Sequence, residues 1–379
     1  MSELNVSNLR KEHVDEGPDL VGVTELTSPY FMVAPSGSTA ERPKNPQSGQ
    51  LRFNTDSGGL EYFRGNDIGW ESIDRVPPAT TGGRAFVFGM ASYPAPVNSI
   101  DMVTFQSTGG AIDWGDLTTV TGAAGACADS VRGVRIGGVT SYPGTFTNVI
   151  DYFSLATQGD AVDYGDLGTA RRGMFSFGDR TRGGVAGGAT PSYTATSTAI
   201  DYITIQSQGN TTSFGNLSSA SGNNGSSSWG NQTRGLFGAI SSNAHPAAPT
   251  NTIEYITIQT TGNSVDFGDM NVEPDNMLTA SNSIRGISAG GYESPTPQLN
   301  SIEYCTIATT GNFADFGDLT FGLVSETSGA GSPTRAIFNR GIDINYIHIM
   351  SLGNSIDFGD LTVQRDHDSM LSNVHGGLG

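Results

Sequence analysis

The stretch Thr261–Met270, TGNSVDFGDM, returns as TGNFADFGDL at Thr310–Leu319 and as LGNSIDFGDL at Leu352–Leu361. A stretch that recurs at a regular interval is the signature of a repeat architecture, and it sets how the rest of the chain is read. Working outward, each copy is preceded by I-[DEN]-Y, with the Gly of the Gly-Asp pair fifteen positions after the Ile. Six copies follow this frame: Ile100–Leu117, Ile150–Leu167, Ile200–Leu217, Ile253–Met270, Ile302–Leu319 and Ile344–Leu361. Successive copies start 50, 50, 53, 49 and 42 residues apart.

Each copy decodes into strands. IDYITI (200–205) is β-branched and aromatic, which suits a pleated, half-buried surface. A dipeptide such as Gly262-Asn263 or Gly311-Asn312 then predicts a tight hairpin turn. SVDFGDM alternates as a second strand, with the Gly-Asp as a bulge or turn in which the Asp caps nearby backbone N–H groups. Upstream of each copy stands an Arg with small and apolar residues (Arg84, Arg132, Arg182, Arg234, Arg285, Arg335), and downstream a weaker strand such as 170–178. About four strands in roughly 50 residues is the size of one propeller blade. The expected fold is therefore all-β: a six-bladed β-propeller over residues 76–379, with a solenoid as the competing architecture.

Composition agrees. The chain has 379 residues, 52 of them Gly, with 36 % hydrophobic and 15 % charged residues and a net charge of −18. Glycine-rich sequence with short bursts of Val, Ile, Phe and Tyr reads as all-β with many turns. The acidic balance argues against nucleic acid and anionic membrane as partners. No apolar run is long enough for a transmembrane helix, and the first residues lack the apolar core of a signal peptide. Cys127 and Cys305 read as small buried hydrophobes.

Residues 1–75 do not repeat. Residues 1–35 read as an extended arm, too short to form a core alone, and 36–75 as a small β-module containing SGQLRFNTDSGGLEYFRGNDIGWESI (48–73).

Two resemblances follow from these residues. The IDYxTI, TGN and DFGDL elements resemble the kelch-like repeats of virion proteins of tailed bacteriophages, cyanophages especially, over about four fifths of the chain. The module with Arg52, Asn54, Thr55, Leu60, Glu61, Tyr62, Gly65 and Trp70 resembles a β-module of phage tail-fibre and other virion proteins. The resemblance implies a non-enzymatic virion structural protein on the particle's outer surface, at tail, fibre or head. Its N-terminal part would dock on other virion proteins, with Arg52, Tyr62 and Trp70 as docking residues. Its propeller would be displayed as fibre, knob or adhesin toward a host surface glycan or protein, in a homo-oligomeric assembly. A purely architectural decoration or baseplate component and a cellular lectin-like propeller remain open alternatives.

Both what repeats and what varies mark candidate sites. Asp116, Asp166, Asp269, Asp318 and Asp360 recur at the same place in five of the six copies, which fits a structural turn; one Ca²⁺ per blade is the alternative, and otherwise no cofactor is expected. The repeated Arg reads as the partner of an Asp in a neighbouring blade. Connections between the Arg strand and the IDY strand vary most. They carry Tyr93, Tyr142, Tyr193, His245 and Tyr292 as ligand-binding candidates on one loop face. No HExxH, nucleophile elbow or P-loop is present, so no catalytic or metal residues are expected; Arg365–Asp368 (RDHD) reads as a turn.

Overall fold

The computed structural model describes residues 34–56, 59–65, 69–72, 83–92, 95–141, 144–191, 195–221, 227–238, 250–273, 276–293, 296–322 and 328–378. Among them the chain is all-β, built of antiparallel sheets, with one 3₁₀ turn at Thr39–Glu41 and no α-helix. It divides into two compact units, Met1–Pro78 and Ala79–Gly379.

The first unit carries a four-stranded sheet of Ser36–Gly37, Leu51–Asn54, Gly59–Phe63 and Trp70–Ser72, in that order. Only the first pairing is parallel. The expected arm, residues 1–35, lies outside the described residues except for Ala34 and Pro35.

In the second unit the Arg strands and IDY strands pair side by side, as their β-branched and aromatic content predicts. Sheet 2 contains Gly125–Ala128, Arg132–Ile136, Val149–Ser154 and Val162–Asp166. Sheet 3 contains Phe175–Gly178, Arg182–Ala186, Ser197–Thr204 and Thr212–Ser221; sheet 4, Ser228–Gly230, Arg234–Gly238, Thr252–Thr257 and Val265–Asp269; sheet 5, Leu278–Ser281, Arg285–Glu293, Thr296–Thr306 and Ala314–Asp318. A small separate hairpin, Val139–Ser141 with Thr145–Phe146, bridges to the end of sheet 1 through Gly122 and Val139.

Sheets 6 and 1 are the two halves of one six-stranded sheet joined through the strand Ile356–Ser372. Its first part pairs with Arg335–His348 next to Gly329–Gly331, which makes sheet 6. Its last part, Asp366–Ser372, pairs with Ala85–Met90 and heads sheet 1 ahead of Arg84–Ser92, Ala95–Thr104 and Ile112–Thr121. The strand downstream of each copy thus belongs to the next sheet: Phe175–Gly178 pairs with Arg182–Ala186, not with Val162–Asp166. The sequence period is right, but its phase is offset by one strand.

Two local expectations change. Gly-Asn is not a two-residue hairpin; Thr104 and Ile112 bound a seven-residue connection, in which Gly109 has φ +149°. Arg365–Asp368 is not a turn; it sits in the strand Ile356–Ser372, with a register shift between Asp366 and Asp368.

The apolar residues of each sheet meet those of its neighbour. Phe86, Phe88, Ile100 and Trp114 of sheet 1 pack with Phe153 and Leu155 of sheet 2. Equivalent clusters join sheets 2 and 3, 3 and 4, 4 and 5, and 5 and 6. A sixth joins Ile337, Ile344 and Phe358 of sheet 6 to Val87, Val103 and Phe105 of sheet 1. Leading strands touch in the same order, and Ile356–Ser372 touches Gly125–Ala128. Cys127 and Cys305 are buried in these clusters as expected, and burial pushes both thiols up to about 12.

Candidate functional site

The repeated residues are consumed by bonds between sheets. In every sheet the repeated Arg lies over an aromatic ring of its own sheet and donates to a backbone carbonyl of the next. Arg132 sits 4.6 Å from the Tyr152 ring and Nη1 donates to Ile205 O at 3.3 Å. Arg182 covers Tyr202 and reaches Ile258 O at 3.1 Å; Arg234 covers Tyr255 and reaches Ile307 O at 3.0 Å; Arg285 covers Tyr304 and reaches Ile349 O at 3.2 Å. Arg84 covers Trp114 and reaches Leu155 O at 3.0 Å. Arg335 covers Tyr346 and reaches Phe105 O, in sheet 1, at 2.6 Å. The expected Asp partner is replaced by a carbonyl, because the guanidinium plane stacks on the ring while its edge meets the end of the neighbouring strand.

A second belt joins the Gly-Asp pairs to the TGN turns. The N–H groups of Asp116, Asp166, Asp269 and Asp318 each donate to the side chain of the turn Asp or Asn in the next sheet: Asp160, Asn210, Asn312 and Asn354, at 2.9–3.0 Å. Asp360 has Gly110 opposite it, and there Ala111 N–H donates to Asp360 O at 2.7 Å. The five repeated Asp residues therefore contribute backbone, while the side chains of Asp116, Asp166, Asp318 and Asp360 stay exposed and that of Asp269 is half-buried. Among the described residues no group of acids, His and Cys could hold a metal ion.

The belt that sequence reading missed is the acid of I-[DEN]-Y. Asp101 and Asp151 are fully buried, Glu254, Glu303 and Asn345 nearly so. Each receives a bond from the residue two positions past the Gly-Asp pair of the preceding sheet: Thr118 Oγ1 donates to Asp151 at 2.5 Å, Thr362 Oγ1 to Asp101 at 2.5 Å, and Thr320 Oγ1 to Asn345 at 2.7 Å. Two of these also pair with buried arginines, Arg135–Asp151 at 2.7 Å and Arg365–Asp101 at 3.2 Å, and the half-buried Asp201 of the third copy pairs with the buried Arg171. A buried charge is kept only with a partner. The signal was present in the sequence, since every copy keeps a polar residue inside an otherwise apolar strand.

The leading strands surround a cavity of about 140 Å³ lined mostly by Ala, Gly and Ser. Free edge N–H groups of these strands are met by neighbouring hydroxyls: Ala126 N–H donates to Ser176 Oγ, Ser176 N–H to Ser228 Oγ, and Gly230 N–H to Ser281 Oγ, at 3.0–3.2 Å. At one end Ala123 and His367, both at positive φ, join through Ala123 N–H to His367 O at 2.8 Å. Asp368, on the same wall, accepts from Ser328 Oγ at 2.6 Å and from Asn339 Nδ2. Burial pushes its carboxyl up to about 6, against the pull of those two bonds. Ligand pockets usually span about 300–1,000 Å³. This cavity is too small to enclose a sugar ring and its substituents.

Of the loop-face candidates, Tyr93, Tyr142, Tyr193 and His245 lie outside the described residues. Tyr292 lies in the strand Arg285–Glu293. In the N-terminal unit Arg52 is buried. Its Nη1 donates to Glu61 at 3.0 Å, Nη2 donates to Ser38 O at 3.0 Å, and its guanidinium lies 5.9 Å from the Trp70 ring. Arg42 and Asn54 also donate to Glu61, and the Arg42 bond leads in holding that carboxyl below its ordinary range. Strand alternation sends Leu51, Phe53 and Leu60 to the opposite, exposed face, with Tyr62 paired to Leu51 across the ladder.

No family model matches the chain, and no curated protein is similar to it at a significant level.

Proposed function

We propose that the six sheets are the blades of a β-propeller and that the chain is a non-enzymatic structural protein of a tailed-phage particle. One observation carries the propeller reading. The arginine-to-carbonyl bond, the bond to the buried strand acid and the apolar cluster all recur between sheet 6 and sheet 1, and a single C-terminal strand is shared by both. An open array of sheets would leave those groups without partners at its two ends. The virion reading rests on the resemblance of the repeats and of residues 48–73 to phage proteins. It is supported by how the repeated residues are spent: Arg, Gly-Asp and the strand acids bond sheet to sheet, which suits a rigid displayed body more than a reaction centre.

In this reading the N-terminal unit docks on the particle. The outward Leu51, Phe53 and Leu60 supply apolar area for contact, while Arg52 acts inside the module as a support. The propeller faces out, and the variable connections carrying Tyr93, Tyr142, Tyr193, His245 and Tyr292 meet the host surface or other virion proteins.

The test is immunogold labelling of particles that carry this gene, with antibody against residues 79–379. Label at tail or fibre tips supports an adhesin role. Label spread over the head supports the architectural alternative. Intact particles without label would end the virion reading.

A further inference from the structure

After Ser372 closes sheet 1, the chain does not leave the molecule. Residues 373–378 fold across the end of the cavity opposite His367. Arg84 N–H donates to Asn373 Oδ1 at 2.7 Å, and Asn373 N–H to Arg84 O at 3.2 Å, fixing the tail to sheet 1. His375 Nε2 meets Ala128 O of sheet 2 at 2.7 Å. Arg180 of sheet 3 donates to Leu378 O at 2.9 Å. Gly376 and Gly377 pass so close to carbonyls of sheets 3, 4 and 5 (Gly178, Gly230, Asn282) that no Cβ fits at either position. A six-residue tail thus touches five sheets.

His375 is the one titratable group in that tail, and its tautomer is fixed by its partners. Gly377 N–H donates to His375 Nδ1 at 3.1 Å, so Nδ1 holds a lone pair. Nε2 therefore carries the proton and donates to Ala128 O. A second proton has only Nδ1 to go to, and there it would face the Gly377 N–H, donor against donor. We infer that the C-terminal tail is an acid-released plug of the central cavity, with His375 protonation as its trigger.

The charged groups around the imidazole do not rescue the imidazolium. Asp129 and Asp179 are the nearby acids, and both are already engaged. Asp129 accepts from Val131 N–H, Arg132 N–H and Gln206; Asp179 accepts from Thr181 N–H, Arg182 N–H and Gln259. Arg180, on the same turn as Asp179, is cationic and is bound to Leu378 O. Burial leads in holding the imidazole below its ordinary 6.5, over the opposing pull of Ala128 O and the two acids. The sign follows. Above pH 6.5 the plugged and released tails are both neutral at His375. Below it the released tail takes up a proton that the plugged tail refuses, so each pH unit favours release by up to tenfold. Between pH 7.5 and pH 5 that amounts to about 30-fold at most.

Hydrogen exchange of the full chain tests this. Protection of the amides of residues 374–378, corrected for the intrinsic pH dependence of exchange, is compared at pH 7.5 and pH 5. Wild type is expected to lose about tenfold to 30-fold, and His375→Asn, whose amide keeps a donor and an acceptor but does not titrate, to lose none. Equal loss in both proteins, or no loss in wild type, overturns the inference. If His375→Asn does not fold, the imidazole of His375 is titrated by NMR in wild type. Titration that coincides with tail deprotection supports the plug; titration near 6.5 with the tail still protected overturns it.

Discussion

Arg335 donates from Nη1 to the carbonyl of Phe105 at 2.6 Å, across 230 residues of sequence. The same guanidinium lies 4.6 Å from the ring centroid of Tyr346. This pair bonds the last sheet to the first with the device that bonds every other neighbouring pair. Arg335→Lys keeps the charge but loses the planar stack and the fork. It is expected to cost about 1–3 kcal/mol in urea unfolding, from one charge-assisted bond and a partly desolvated cation–π contact. An unchanged midpoint would mean the contact carries no closing energy.

Gly359 makes the same junction through backbone. A Cβ there would sit 2.6 Å from the carbonyl of Gly109, and φ is +141°. Gly359→Ala must strain its own backbone and push sheet 1 away, so a loss above about 2 kcal/mol is expected. Gly144→Ala is the control, since its Cβ would meet nothing within 4 Å. Its midpoint should move by less than about 0.5 kcal/mol.

Arg135 and Asp151 are both fully buried and 2.7 Å apart. Removing Asp151 leaves the buried Arg135 charge without its counter-ion, with only carbonyls and a hydroxyl around it. Asp151→Ala is expected to cost about 3–5 kcal/mol, read from thermal and urea unfolding. Arg42→Ala in the N-terminal unit makes the contrast. Its side chain is one third exposed and Glu61 keeps Arg52 as a partner, so the loss should stay near or below about 1 kcal/mol.

Asp368 gives a pH signature of its own. Its folded carboxyl sits near 6 because burial disfavours the anion, while the unfolded group titrates at about its ordinary 3.8. Between those values the folded state binds the extra proton, so this residue's contribution falls as pH rises from about 4 to 6 and is flat above. Asp368→Asn should therefore gain stability relative to wild type at pH 7 compared with pH 4.5. Urea midpoints of both proteins at the two pH values check this; a difference that does not change with pH would place the carboxyl's titration elsewhere.

Much of this arrangement was legible in the sequence, and the parts that were not have physical causes. The period of I-[DEN]-Y and Gly-Asp set the number of sheets because each sheet needs the same strand and the same bulge. Periodicity carries no phase, so nothing in the repeat told that Phe175–Gly178 pairs forward with Arg182–Ala186. That choice is made by long-range pairing, and the C-terminal strand at Asp366–Ser372 shows its consequence in sheet 1. The repeated Arg was visible as a device, but its partner was not, since a backbone carbonyl leaves no mark in sequence. The buried Asp101 and Asp151 were passed over in favour of the exposed Asp116 and Asp166, although a polar residue kept inside an apolar strand was the stronger sign of a bonded interior group. Gly376 and Gly377 lie outside the repeat frame, and only the surrounding carbonyls explain them.

The central claim is that six sheets close on themselves. The most direct measurement is a spin-label distance between cysteines placed at Thr108 and Asp360, both exposed and each next to one glycine of the Gly109–Gly359 contact. Cys127 and Cys305 are buried and should stay unlabelled in the folded protein. Closure predicts a short, narrow distance distribution in solution. Sheets stacked in an open row about 10 Å apart would place the first and last about 50 Å from each other, and a distance in that range would contradict the ring.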